Sequence, residues 1–216
     1  MSLLYRKAYF LLSAADVKQL PPDSGIEVAM VGRSNAGKSS VLNRVTQSKG
    51  LARVSKTPGR TQLVNVFVLD DERRLIDLPG YGFAKVPLAA KLKWQKTVNV
   101  YIEQRECLKG LVVVMDCRHP LRETDVQLLE YCDHRGLAVH ILLNKSDKLS
   151  RNDAINTMRE VTSALQGYRN TISIQLFSAM KGIGVKELCG VLDGWYGLHT
   201  HPSSALWAPS PTRGEG

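Results

Sequence analysis

Residues 26–198 read as one α/β domain, a three-layer sandwich around a mostly parallel six-stranded sheet with one antiparallel strand. Three observations predict it. Short apolar runs alternate with stretches of helical length through most of the chain, the pattern of strands joined by crossover helices. Two of those runs, residues 28–31 and 111–115, are apolar throughout, as strands covered on both faces are. The third observation is a glycine-rich loop, Gly32-Arg33-Ser34-Asn35-Ala36-Gly37-Lys38-Ser39, set between the first of these runs and a helical stretch.

Residues 1–25 mix aromatic and basic side chains (Tyr5, Arg6, Lys7, Tyr9, Phe10) ahead of Pro21-Pro22, and are expected as an arm packed on the domain. The first strand spans 27–31, and the helix after the glycine-rich loop runs to about Ser48. Residues 49–63 have no period, contain Pro58-Gly59 and carry Lys49, Arg53, Lys56 and Arg60, which reads as a mobile basic loop. A strand over 64–69, a polar turn at Asp70-Asp71-Glu72-Arg73 and a strand over 74–78 make an antiparallel hairpin. A helix over 88–107 carries Lys91, Lys93 and Lys96 on or near its exposed side, and strand 111–115 follows. The alternation then continues: helix 121–135, strand 138–143, helix 154–165, strand 172–177, helix 185–196. Beyond Gly197 the composition shifts to His, Pro, Ser, Gly and Thr, and residues 199–216 are expected as a disordered tail.

In sheets of this kind ligands bind at the carboxyl ends of the strands, and four motifs fall at such ends. The glycine-rich loop has the chemistry of a phosphate cradle. Glycines let the backbone curl so that N–H groups point inward, the helix N-terminus adds partial positive charge, and Lys38 adds a full one. Ser39 offers a hydroxyl to a magnesium ion. Asp77-Leu78-Pro79-Gly80 ends the third strand, where Asp77 can hold Mg2+ through water and the Gly80 N–H can reach a third phosphate. Asn144-Lys145-Ser146-Asp147 ends the fifth. Its last carboxylate can accept from guanine N1–H and the exocyclic amine, whereas adenine offers no such donor pair and would leave it desolvated at a cost of about 1–3 kcal/mol. The stem of Lys145 can cover the base. At Ser178-Ala179-Met180-Lys181 a backbone N–H can donate to guanine O6.

This ordered set resembles the Ras-like GTPase domain, a P-loop NTPase fold, and in detail is similar to the bacterial EngB/YihA (YsxC) group of ribosome-assembly GTPases. The stretches that carry the likeness are Gly32 through Ser40, Lys56-Thr57-Pro58-Gly59-Arg60-Thr61-Gln62, Asp77-Leu78-Pro79-Gly80-Tyr81-Gly82-Phe83-Ala84 and Asn144-Lys145-Ser146-Asp147. The likeness covers about residues 5–198. It implies a slow GTPase that binds GTP and GDP and acts in maturation of the large ribosomal subunit, with links to the cell cycle, cell division and septation. The implied nucleotide contacts are Gly32, Arg33, Ser34, Asn35, Ala36, Gly37, Lys38, Ser39, Ser40, Gly59, Thr61, Asp77, Gly80, Asn144, Lys145, Asp147, Ser178 and Ala179. Thr61 is implied to close on Mg2+ and the γ-phosphate, joining Ser39 and, through water, Asp77 at the metal. Lys38, Thr61, Gly80 and Asn35 form the expected catalytic set.

Where Ras-type enzymes carry glutamine after the glycine, this chain has Tyr81, whose phenol, with an ordinary pKa of about 10, is a poor base at neutral pH. Related GTPases with asparagine at the position of Asn35 use it to help bind K+ in place of an arginine finger, so K+ joins Mg2+ as an expected ion. Arg60 is the internal alternative.

Charge points to the partner. The net charge is +9, and residues 1–110 hold 18 Lys and Arg against 9 Asp and Glu, while the remainder is balanced at 11 against 11. One triphosphate cannot balance that excess, so the basic first half is expected to meet a polyanion, here the rRNA and proteins of a large-subunit precursor. No apolar run approaches the ~20 residues that span a bilayer. Cys107, Cys117, Cys132 and Cys189 have no metal or redox spacing and read as reduced, buried residues. The five histidines form no metal-ligand pair. The protein is therefore expected in the cytoplasm, off the membrane and monomeric. Two other readings use fewer of the motifs: a phosphotransferase of nucleotide metabolism gives no reason for Asp147, and an RNA-binding module with a structural nucleotide leaves all four unexplained.

Asp147→Asn tests the base assignment. Its amide can donate to the second carbonyl of xanthine, so nucleotide competition should show preference moving from guanine to xanthine; an unchanged preference would place the base elsewhere.

Overall fold

The computed structural model describes residues 3–52, 63–81, 88–168 and 172–198, the first six residues of the helix beginning at Leu88 by backbone alone. Its elements run β1 (Tyr9–Ala14), β2 (Ile26–Gly32), α1 (Lys38–Thr46), β3 (Val64–Val68), β4 (Arg73–Asp77), α2 (Leu88–Gln104) and β5 (Leu108–Asp116). They continue with α3 (Glu123–Arg135), β6 (Val139–Asn144), α4 (Arg151–Ala164), β7 (Ile172–Leu176) and α5 (Val185–Trp195). The tail, most of the basic loop (53–62) and residues 82–87 lie outside the described residues, as do the side chains of Lys91 and Lys93; Lys96 is exposed.

The strands make one sheet in the order β1-β3-β4-β2-β5-β6-β7. Only β3 runs against the others, pairing antiparallel with both β1 and β4. Among the described residues the sheet thus has seven strands, one more than the sequence pattern suggests. The extra one, β1, comes from the stretch read as a surface arm. A bulge between Phe10 and Leu12 breaks the alternation by which a strand is recognised, while pairing to β3 takes up the backbone groups of that edge. Some boundaries differ by a few residues as well: α2 ends at Gln104, β5 begins at Leu108 and α4 begins at Arg151, each earlier than the sequence pattern suggests.

Side chains alternate across the sheet with the period of two that strands impose. Ala29, Val31, Leu111, Val113, Ile141 and Leu143 face a core shared with α2, α3 and α4, through residues such as Val98, Tyr101, Leu129, Cys132 and Val161. Val28, Met30, Val112, Val114 and Leu142 face the opposite core, with Val41, Leu42 and Val45 of α1 and Leu188, Cys189 and Leu192 of α5. The helices therefore sandwich the sheet, and burial on both faces accounts for the unbroken apolar runs of β2 and β5. All four cysteines are free and buried. His140 is a core histidine, its Nδ1 2.7 Å from Ser173 Oγ and its Nε2 2.9 Å from Gln175 Oε1.

At the amino end of β2 the sheet is fastened by a buried charge. Glu27 is fully enclosed and accepts from Arg74 Nε at 2.9 Å, Arg105 Nη2 at 2.5 Å and the Tyr101 hydroxyl at 2.7 Å. Desolvating a carboxylate is costly unless it is paired and hydrogen-bonded, and two guanidinium groups and a phenol meet that need while joining β2, β4 and the end of α2. This leaves the carboxyl ends of the strands to the loops.

Candidate nucleotide-binding site

The loop after β2 turns back through two residues with positive φ, Asn35 at 64° and Gly37 at 98°. At Gly37 the restriction is twofold, because a Cβ there would lie 2.4 Å from the side-chain nitrogen of Asn144. The Ser34 N–H donates to the Tyr81 carbonyl at 2.6 Å and the Ala36 N–H to the Arg33 carbonyl at 3.0 Å, so those two amides are used within the protein. The first bond of α1 runs from the Val41 N–H to the Gly37 carbonyl at 2.9 Å. The amides of Lys38, Ser39 and Ser40 thus precede the helical ladder and point back toward the loop, where an anion would be met by N–H groups and by the positive end of the helix.

Lys38 sits at the start of α1 with its ammonium ion-paired to Asp77 Oδ1. Asp77 ends β4 and is largely buried, and its second oxygen accepts from Asn65 Nδ2 at 3.1 Å. Just beyond, Tyr81 N–H donates to the Gly32 carbonyl at 3.3 Å, which zips the strand end to the loop and brings Gly80 alongside it. A Cβ on Gly80 would stand 3.3 Å from that same carbonyl. Thr61 and Gly59, like Arg60, lie outside the described residues.

The other end is built from the ends of β6 and β7. Asn144 is buried; its amide nitrogen donates to the Ala36 carbonyl at 2.7 Å and its oxygen accepts from the Ala179 N–H at 3.2 Å. Lys145, in the left-handed region at φ 65°, extends across the loop to the Asn35 carbonyl at 2.5 Å and to Asp116 Oδ2 at 2.9 Å. Ser178 Oγ donates to Asp147 Oδ1 at 2.5 Å. That bond, aided by Lys148, outweighs desolvation and holds the Asp147 carboxyl below the usual carboxylate value. Phosphate loop, lysine stem and acidic acceptor therefore lie along one edge of the sheet.

Four side chains here escape a reading of motifs. Asp116 ends β5; although burial works the other way, bonds from Arg118 and Lys145 hold its carboxyl well below the usual range, and a polar residue closing an apolar strand is the signal that marks it. Arg44 on α1 donates to the carbonyls of Ala179 at 2.7 Å and Met180 at 2.9 Å, tying the first helix to the loop after β7. Asn65 supports Asp77, as above. Asp125 on α3 accepts from the Tyr81 hydroxyl at 2.5 Å.

This last contact removes Tyr81 from the chemistry. Its side chain is 2% exposed, packs against Trp94 with ring centroids 4.9 Å apart, and points into the core beneath α2 and α3. Burial, reinforced by the Asp125 carboxylate, pushes its phenol well above the ordinary value. Enclosed in the core and aimed at Asp125, the phenol is not presented to a solvent water at the phosphate loop.

A family described as "50S ribosome-binding GTPase" matches residues 27–145. The "Probable GTP-binding protein EngB" of Psychromonas ingrahamii is 52% identical over 206 residues, 94% of this chain and 94% of its own. The protein of the same name from Coxiella burnetii (strain CbuK_Q154) is 53% identical over 192 residues, 89% of this chain and 94% of its own. Among solved structures, one titled as a probable GTP-binding protein engB aligns with a TM-score of 0.63 at 21% identity, covering 80% of this chain and all of that one. Era of Aquifex aeolicus, solved as a single-residue variant bound to GDP and AlF4−, aligns at 0.62 and 21%, covering 80% of this chain and 57% of its own. At such identities the structures speak for the fold.

Tyr81→Phe separates a packing role from a chemical one. Nucleotide hydrolysis should change by less than about threefold, while urea unfolding should show a loss of about 1–3 kcal/mol as Asp125 loses its buried donor. A tenfold loss of turnover with unchanged stability would put the phenol at the nucleotide.

Proposed function

Since the chain belongs to the EngB family of GTP-binding proteins and carries a 50S ribosome-binding GTPase domain, we propose that it is a GTP-driven switch in maturation of the large ribosomal subunit. The observation that carries the reading is the joint placement, at the carboxyl ends of the strands, of a phosphate loop and of Asp147, whose carboxylate is hydrogen-bonded by Ser178. A base-selective pocket suits a regulatory nucleotide better than a phosphoryl donor.

The residues present suit Mg2+. Asp77 and Ser39 offer hard oxygen ligands at the loop, and no cluster of three or more His, Cys, Asp or Glu able to hold a metal occurs among the described residues. Such a sparse oxygen set matches an ion that keeps its waters and arrives with the phosphates. Ser39, Thr61 and, through water, Asp77 are the residues proposed to hold it. Bound there, Mg2+ neutralises charge that builds between the β- and γ-phosphates. Lys38 exchanges Asp77 for the phosphates, the amides of Asn35, Gly37, Lys38, Ser39 and Ser40 line the cradle, and the Gly80 N–H meets the third phosphate with Thr61. Asp147 reads guanine, Lys145 covers it, Asn144, Ser178 and Ala179 complete the base end, and Arg33, Ser34, Ala36, Gly32 and Gly59 complete the phosphate end.

With Tyr81 turned inward, charge for hydrolysis comes from elsewhere. We assign it to K+ held by Asn35, which stands exposed at the loop's tip while Lys145 pins its carbonyl. If so, turnover in the presence of ribosomal particles is faster in potassium than in sodium buffer, and Asn35→Ala abolishes the difference; equal rates in the two salts would overturn it.

The partner is proposed to be the rRNA and proteins of a large-subunit precursor. Exposed Arg6, Lys7, Lys18, Lys49 and Lys96 in the basic half support this. No described helix is long and apolar enough to cross a membrane. Cytoplasmic location, a monomer, a GTPase unit at residues 26–198 with the arm before it and a tail after it, and a link to cell division and septation complete the reading. Sedimentation with ribosomal particles in GTP, GDP and nucleotide-free buffer tests the switch: the protein should pellet with the particles in GTP and stay largely in the supernatant in GDP, and equal pelleting in both would reject it.

A further inference from the structure

Asp77, the carboxylate proposed above to meet Mg2+ through water, has both oxygens engaged from within the protein. Lys38 holds Oδ1, and Asn65 Nδ2 donates to Oδ2 at 3.1 Å. The Asn65 carbonyl oxygen in turn accepts from Ser13 Oγ at 2.6 Å. These three residues form a row across three adjacent strands: Ser13 of β1 stands opposite Asn65 of β3, and Asn65 opposite Asp77 of β4. Residues directly opposite one another in an antiparallel pair project on the same face with their Cβ atoms close, so the register itself sets up the chain of bonds.

The direction of that chain is fixed by what each group can do. A carboxylate only accepts, so it demands the NH2 edge of the Asn65 amide; the carbonyl edge is then turned outward, where a hydroxyl must donate to it. Ser13 supplies that hydroxyl. We propose that Asn65 is a positioning residue for the magnesium-facing carboxylate, and that Ser13, from the amino-terminal edge strand, sets the orientation of Asn65.

The consequence appears when Lys38 moves to the phosphates. Asp77 then loses its partner on Oδ1 and keeps the one on Oδ2, so Asn65 is the group that fixes the carboxylate plane and presents Oδ1 to a metal-bound water. Partners of directly ligating residues are worth about 10–100-fold in metal affinity, and Asn65, which acts on a carboxylate that meets the ion through water, is expected near the lower end of that range. The sheet's seventh strand thus takes part in the metal site through one hydroxyl. The inference rests on the magnesium-nucleotide reading of the site.

Release of a fluorescent GDP analogue, followed over a titration of free Mg2+, tests it. In the parent protein Mg2+ should slow release with a defined midpoint. In Asn65→Leu, close in size but unable to donate, the midpoint should rise by about tenfold, well beyond any change in release measured with chelator present. Ser13→Ala, at an exposed position where the fold is not at stake, should raise the midpoint at least threefold. Midpoints within twofold of the parent in both variants, or a Leu variant whose release speeds equally with and without Mg2+, would overturn the inference. If Asn65→Leu does not fold, Ser13→Ala decides alone, a threefold rise supporting the inference and an unmoved midpoint rejecting it. A parent whose release ignores Mg2+ would instead overturn the magnesium reading, and this one with it.

Discussion

The buried carboxamide of Asn144 is the joint on which the site depends. Its nitrogen holds the loop after β2 at Ala36 and its oxygen holds the loop after β7 at Ala179, so the two halves of the proposed nucleotide pocket keep their separation through one side chain. It can come so close only because Gly37 has no Cβ. A buried amide has fixed donor and acceptor edges, and both are satisfied here, which makes the arrangement a spacer as well as a bond. Arg44 repeats the link from below, joining α1 to the same loop through two carbonyls.

Around that joint, cations and anions are arranged so that each has a protein partner that a ligand can replace or use. Lys38 rests on Asp77 and exchanges it for phosphate under the proposed mechanism, while Lys145 is held by Asp116 and by the Asn35 carbonyl. Asp147 accepts from the Ser178 hydroxyl, which lowers its carboxyl further below the ordinary value. None of these groups is as thoroughly enclosed as Glu27, whose two arginines and one tyrosine serve stability at the far end of β2. The two ends of the sheet therefore differ: one holds an enclosed, multiply paired charge, the other charges whose partners a ligand can replace under the proposed mechanism.

Tyr81 and β1 show how much the surroundings change the meaning of a residue. On paper Tyr81 occupies the place of a catalytic glutamine; in the fold it is a buried donor to Asp125 beside Trp94, fastening the segment after β4 to α2 and α3. Residues 9–14 read as part of an arm because a bulge hides their alternation, yet they close the sheet's edge and bring Ser13 within reach of Asn65.

The layered fold, the order of the four motifs and guanine as the expected base follow from the chain alone, because each rests on local period or on the chemistry of residues that lie within a few positions of a strand end. Gly32 to Ser40 and Asn144 to Asp147 need only their own neighbours to be legible. Asn65 against Asp77, Tyr81 against Asp125 and Arg44 against Ala179 join residues 12, 44 and 135 positions apart, and only strand order and register decide whether such groups meet. A serine in an apparent arm carries no local sign that it will face an asparagine 52 residues later; the pairing of β1 with β3 places it there.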